Sequence, residues 1–100
     1  MDKDLRPFSK EEILENLKKL DGWVYKDRKI TKEFNLASFK NVVKLIDLLA
    51  PFCEEIDHHP DIHIYYKKVI FELQRFSIGG RVCQRDFTVA QKIEKLVNNL

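Results

Sequence analysis

Apolar positions recur along the chain with two different periods, and the switches between them mark out its elements. From Phe8 to Leu20 the period is helical, with Ile13, Leu17 and Leu20 at three- and four-residue steps between Lys and Glu residues. Ser9 stands where a helix cap belongs, Glu12 completes a capping box, and Phe8 and Ile13 occupy the positions of a hydrophobic staple. Asp21-Gly22 ends this helix. Trp23–Lys26 and Lys29–Phe34 then read as two short strands joined by Asp27-Arg28. A long helix opening near Asn35 carries two apolar stripes. One is Leu36, Phe39, Val43, Ile46, Ala50 and Cys53; the other is Val42, Leu45, Leu49 and Phe52. So broad a face exceeds one contact surface, and part of it is expected to meet a second partner, such as another subunit. Pro51 is expected to kink this helix or end its regular part.

The alternation returns after residue 60. Pairing Tyr66 with Val69 across Lys67-Lys68 sets Ile64 opposite Phe71 and Ile62 opposite Leu73, all on one core face. That register places His63 beside Glu72 on the other face and brings Phe76 level with His59. Gly79-Gly80 breaks the strand. A last helix spans about Gln84 to Asn99, burying Phe87, Ala90, Ile93, Val97 and Leu100. The order helix, two strands, helix, two strands, helix predicts an α+β two-layer sandwich. Its four-stranded antiparallel sheet carries three helices on one face.

Composition narrows the class. The chain has 100 residues, 44% of them apolar, which suits one domain over residues 1–100. Eighteen basic and 16 acidic side chains leave a net charge of +2, so nothing suggests a phosphate-neutralising, nucleic-acid-binding surface. The longest apolar run, Leu48 to Cys53, is far shorter than the ~20 residues of a membrane span, and early charges leave no signal-peptide core. Cys53 and Cys83, without a CxxC spacing, read as reduced, small apolar residues. The expectation is a soluble cytoplasmic protein.

Chemistry concentrates in Glu54-Glu55-Ile56-Asp57-His58-His59-Pro60-Asp61, and all three histidines fall between positions 58 and 63. Imidazoles exchange protons near neutral pH, and adjacent carboxylates orient them, which is the equipment of general acid/base catalysis. A solvated loop that merely caps a helix would use the same composition. A metal site is disfavoured: His58 and His59 point apart in an extended chain, His63 is expected beside Glu72, and no ligand spacing supports one.

The run Glu54-x3-His58-His59-Pro60-x5-Tyr66, with the later double glycine and Asp86, resembles the pterin-4a-carbinolamine dehydratases. Leu20-Asp21-Gly22-Trp23, Phe34-Asn35-Leu36-Ala37-Ser38-Phe39 and Asp86-Phe87-Thr88-Val89-Ala90 resemble that family too. The resemblance covers about residues 9–98. It implies a dehydratase that removes water from a 4a-hydroxytetrahydropterin to give the quinonoid dihydropterin, without metal or organic cofactor. It further implies that His58 is the acid/base and that His59 chiefly positions substrate. Glu54 and Asp86 match the acidic motif positions. Pro60 shapes the loop, and Trp23 could wall the flat ring as readily as anchor the core. Tyr66, on the expected core face, is assigned to packing.

The chain departs from the family at Phe76, where the pattern expects a histidine or sometimes a tryptophan. It also carries one extra residue between Gly80 and Asp86. The resemblance implies a homodimer or homotetramer. Its alternatives are a pterin-binding protein without turnover and a protein-dimerisation cofactor, a role that family members play for a homeodomain transcription factor.

Overall fold

The computed structural model describes residues 3–100. Helix α1 spans Lys10–Leu17, and its capping box is closed: Ser9 Oγ accepts from the Glu12 amide at 3.1 Å, and Glu12 accepts from the Ser9 amide at 2.9 Å. Arg6 forks onto the same Glu12 carboxylate, whose pKa it holds down at about 2. Strands β1 (Val24–Lys26) and β2 (Lys29–Asn35) form a hairpin. Asp27 and Arg28, at φ 52° and 66°, are the two left-handed positions a tight hairpin requires. Helix α2 (Phe39–Ile56), strands β3 (Asp61–Tyr65) and β4 (Lys68–Leu73), and helix α3 (Gln84–Asn98) complete the order. The sheet runs β1-β2-β4-β3, antiparallel throughout. This is the expected α+β architecture.

One core joins the layers. Ile30, Phe34, Val69, Phe71 and Leu73 supply the sheet face; Val42, Leu45 and Leu49 from α2 and Phe87, Ala90 and Ile93 from α3 cover it. Lys32 alternates with Ile30 and Phe34 on that face, yet it is accommodated. Its stem lies over Gly22, its ammonium caps the Phe34 ring at 4.6 Å, and Nζ reaches Asp21 O and Glu94. Gly22 is required there: φ is +83°, and a Cβ would stand 2.8 Å from Lys32 Cε.

Several sequence-based expectations are corrected. Helix α2 begins at Phe39, because Asn35 still pairs with Lys68 in the sheet and Ser38 caps the helix by accepting from the Asn41 amide. It continues through Pro51 to Ile56; Pro51 and Asp47, whose carbonyl loses the usual N–H, are both on the solvent side, where water can substitute. The β3–β4 register is Ile64 with Val69 and Ile62 with Phe71, two residues from the expected one. A two-residue slip keeps every side chain on its face, so alternation alone could not separate the two. As a result Tyr66 is not a core residue. It occupies the turn at φ 56° and is 72% exposed. Leu100 lies outside the core, and Val97 only borders it. Of the two α2 stripes, Val42, Leu45, Leu49 and Cys53 are buried, while Phe39 and Val43 stay exposed, as does Leu48 outside both stripes. No described helix is long and apolar enough to cross a membrane.

Candidate active site

The His-His-Pro segment takes its shape from the end of α2. Asp57 turns left-handed (φ 52°, ψ 53°), and its amide donates to Cys53 O and Glu54 O. The His58 amide follows, donating to Cys53 O at 3.0 Å. Guanidinium groups meet the carbonyls at the helix end: Arg85 donates to Ile56 O at 3.0 Å, and Arg75 Nη1 to Asp57 O. The sharp turn sends consecutive histidines in opposite directions.

His58 goes inward and is 2% exposed. Its Nε2 lies 2.5 Å from Oδ1 of Asp86, which is wholly buried in the first turn of α3. A helix N-terminus is a favourable seat for a carboxylate, and Asp86 Oδ2 also accepts the Cys83 amide at 2.8 Å. Arg75 Nη1 closes on the other ring nitrogen of His58, Nδ1, at 3.2 Å. Every buried side-chain nitrogen and oxygen among the described residues has a partner.

His59 goes outward. Its Nε2 is 2.5 Å from Oε2 of Glu54 in the last turn of α2, a pair open to solvent on both sides (54% and 74% exposed). Its Nδ1 makes no hydrogen bond among the described residues.

Both imidazoles line one cavity of about 330 Å³, together with Asp57, Asp61, Glu72, Arg75 and Phe76. That volume lies at the small end of ligand sites. Phe76, 88% exposed, opens the short 3-10 turn Phe76–Ile78 on the rim. The antiparallel bridge between Arg75 and Arg81 closes this loop. A second, mostly apolar cleft of about 300 Å³ lies on the far side of His59, lined by Glu54, Pro60, Ile62 and residues of α2.

The structure therefore brings His58, His59 and Phe76 to one cavity, sets Asp86 behind His58, and sets Glu54 and Pro60 beside His59. Trp23 is not among them. It is buried against Phe34, with ring centroids 6.2 Å apart, and its indole N–H donates to Glu94 at 3.0 Å, so it anchors the core. His63 lies on the outer sheet face, 3.1 Å from Glu72, whose carboxyl it holds below the usual range. Sequence reasoning missed Arg75. Its one signal was adjacency to Phe76, because the contacts that bring it into the site, with Asp57 and His58, join residues 18 and 17 positions apart. Cys53 and Cys83 are free and buried, and desolvation pushes both thiols up to about 11, so neither is a thiolate nucleophile at neutral pH. Among the described residues no group of three or more His, Cys, Asp or Glu converges as a metal site.

The chain resembles known proteins over most of its length. The family model for pterin 4 alpha carbinolamine dehydratase matches residues 6–96. A Sulfolobus acidocaldarius protein provisionally named pterin-4-alpha-carbinolamine dehydratase is 39% identical over 85 residues, covering 85% of this chain and 92% of its own. A crystal structure from Brucella melitensis, described as a transcriptional coactivator/pterin dehydratase, superposes with a TM-score of 0.88 at 28% identity. The match covers 92% of this chain and 99% of that one. A pterin dehydratase-like protein described as a RuBisCO assembly factor in the alpha-carboxysome shares the fold, with a TM-score of 0.64 at 21% identity over 78% of this chain and 92% of its own.

Proposed function

The chain belongs to the pterin 4 alpha carbinolamine dehydratase family, and from that premise we propose that it dehydrates a 4a-hydroxytetrahydropterin in the His58–His59 cavity. The observation that carries this reading is the pair of imidazoles on one cavity of about 330 Å³, each held by its own carboxylate. Hydroxide is a poor leaving group. The C4a–O bond breaks with its electron pair moving to oxygen, and a proton from the enzyme lets the oxygen depart as water. The N5 lone pair stabilises the cation left at C4a. Removal of the N5 proton then completes the N5=C4a double bond of the quinonoid product. The proton given to the leaving oxygen is recovered from N5, so one imidazole can serve as acid and then as base.

The two histidines take roles opposite to those that the family resemblance implies. His59 has an open ring nitrogen and a carboxylate, Glu54, that orients the other one, so it exchanges the protons. His58, bonded at both nitrogens, and Asp86 build the cavity floor. Phe76 offers an apolar face on the rim for the flat ring, and Pro60 fixes the backbone beside His59. The reaction takes place in the cytoplasm, where Cys53 and Cys83 stay reduced, within a single domain that self-associates through the exposed α2 residues Phe39, Val43 and Leu48.

The test is the rate at which purified protein consumes the 4a-hydroxy intermediate, followed by ultraviolet absorbance. Acceleration is expected, and His59→Ala should remove about 10²–10⁴-fold of it while leaving the fold intact. No acceleration at micromolar protein would overturn the dehydratase reading. It would favour a second one, binding without turnover, which the aromatic ring of Phe76 at the position of a family histidine supports.

A further inference from the structure

Arg75 makes more polar contacts than any other side chain of the cavity. Nε donates to Ser77 Oγ at 2.9 Å, Nη1 donates to Asp57 O and to His58 Nδ1, and Nη2 stands 3.5 Å from Asp57 Oδ2. Its side chain is only 16% exposed. These acceptors come from both sides of the cavity, from the end of α2 and from the loop after β4. A planar fork can hold all of them at once; an ammonium on a flexible stem cannot.

The chemistry of the donors settles which proton is where. A guanidinium carries donors only, so His58 Nδ1 facing it at 3.2 Å must accept. A neutral imidazole accepting at Nδ1 carries its proton on Nε2, and that N–H points at Asp86 Oδ1. The chain of donation runs one way, from Arg75 to His58 to Asp86, whose other oxygen takes the Cys83 amide. With both nitrogens committed, His58 has no lone pair or proton to offer a ligand.

We propose that Arg75 is a positioning residue, locking His58 in the tautomer protonated at Nε2 and leaving His59 to exchange protons with the substrate. The lock also fixes the Asp57 carbonyl, and with it the left-handed turn from which His59 projects. The catalytic consequence rests on the dehydratase reading; the tautomer does not.

Long-range ¹H–¹⁵N correlation spectra of the whole protein at pH 7 test it. His58 is expected to show an unprotonated Nδ1 and a protonated Nε2. In Arg75→Met that signature should be lost while the backbone amide spectrum remains that of a folded protein, and kcat should fall about 10²-fold, the scale of a small misplacement of catalytic groups. Arg75→Lys should fail to restore either property, because it keeps the charge without the fork. A proton on Nδ1 of His58 in the wild type overturns the proposal without any variant. So does a His58 signature unmoved in Arg75→Met, or an Arg75→Lys protein that matches the wild type. The expected tautomer in a protein without turnover would support the lock while removing the dehydratase reading.

Discussion

Residues 58 and 59 are chemically identical neighbours, and each is bonded to a carboxylate at 2.5 Å, yet they belong to different regions of the molecule. The His58–Asp86 pair lies in the interior, where a polar group without a partner gives up its hydration with nothing in return, and it is satisfied at every atom. The His59–Glu54 pair lies in solvent, where such a pair adds little stability and its partners remain free to exchange protons with water or ligand. Burial, and not residue type or order in the chain, separates the framework of this site from its reactive part. The third pair, His63–Glu72 on the outer sheet face, shows the same contact with no cavity role for the imidazole.

The contrast can be broken from its buried side first. Asp86→Ala would leave the His58 Nε2–H and the Cys83 amide without their acceptor, and a loss of about 3–5 kcal/mol in the urea unfolding free energy is expected. A loss below about 1 kcal/mol would show that the interior pair is not structural. Phe76→His sharpens the exposed side by returning the histidine that the family pattern expects at the rim. Turnover should rise by about tenfold, the low side of what a proton-transfer group contributes. An unchanged rate in a folded variant would place residue 76 outside the reaction. The smallest effect is reserved for His63→Ala: stability within about 0.5 kcal/mol of wild type and a rate within about twofold, because the imidazole is exposed and outside the cavity. A large rate loss there would extend the site onto the outer sheet face.

Most of the fold was legible because its signals are local. Ser9, Glu12 and the Ile13–Leu17 spacing specify the start and body of α1, although the helix stops at Leu17 and not at Leu20 as the apolar spacing suggests, and the α3 boundaries follow from Gln84 and the apolar residues after it. The core face of β4 was legible as well, since Val69, Phe71 and Leu73 alternate in either register and are buried, whereas Ile64, expected on the same core face, is 43% exposed on the edge strand β3. The start of α2 was not, because it depends on pairing with a strand distant in sequence: Asn35 with Lys68, and the Leu36 amide with Lys67 O. The hairpin register was not, because a two-residue slip leaves the alternation unchanged. Trp23 illustrates the same limit within the candidate site. An indole suits a core anchor and a ligand wall equally, and only its distant partners Phe34 and Glu94 distinguish them.

By itself, then, the sequence determined the alternation of helix and strand, the clustering of His58, His59 and Glu54 on one segment, and the family. Those properties are carried by residues within a few positions of each other. Tertiary structure alone decided that Asp86 and Arg75 engage His58 from opposite sides, and that His59 keeps a nitrogen open. These contacts join residues 17 and 28 positions apart. Their energy depends on burial, and burial exists only once the helices have closed over the sheet.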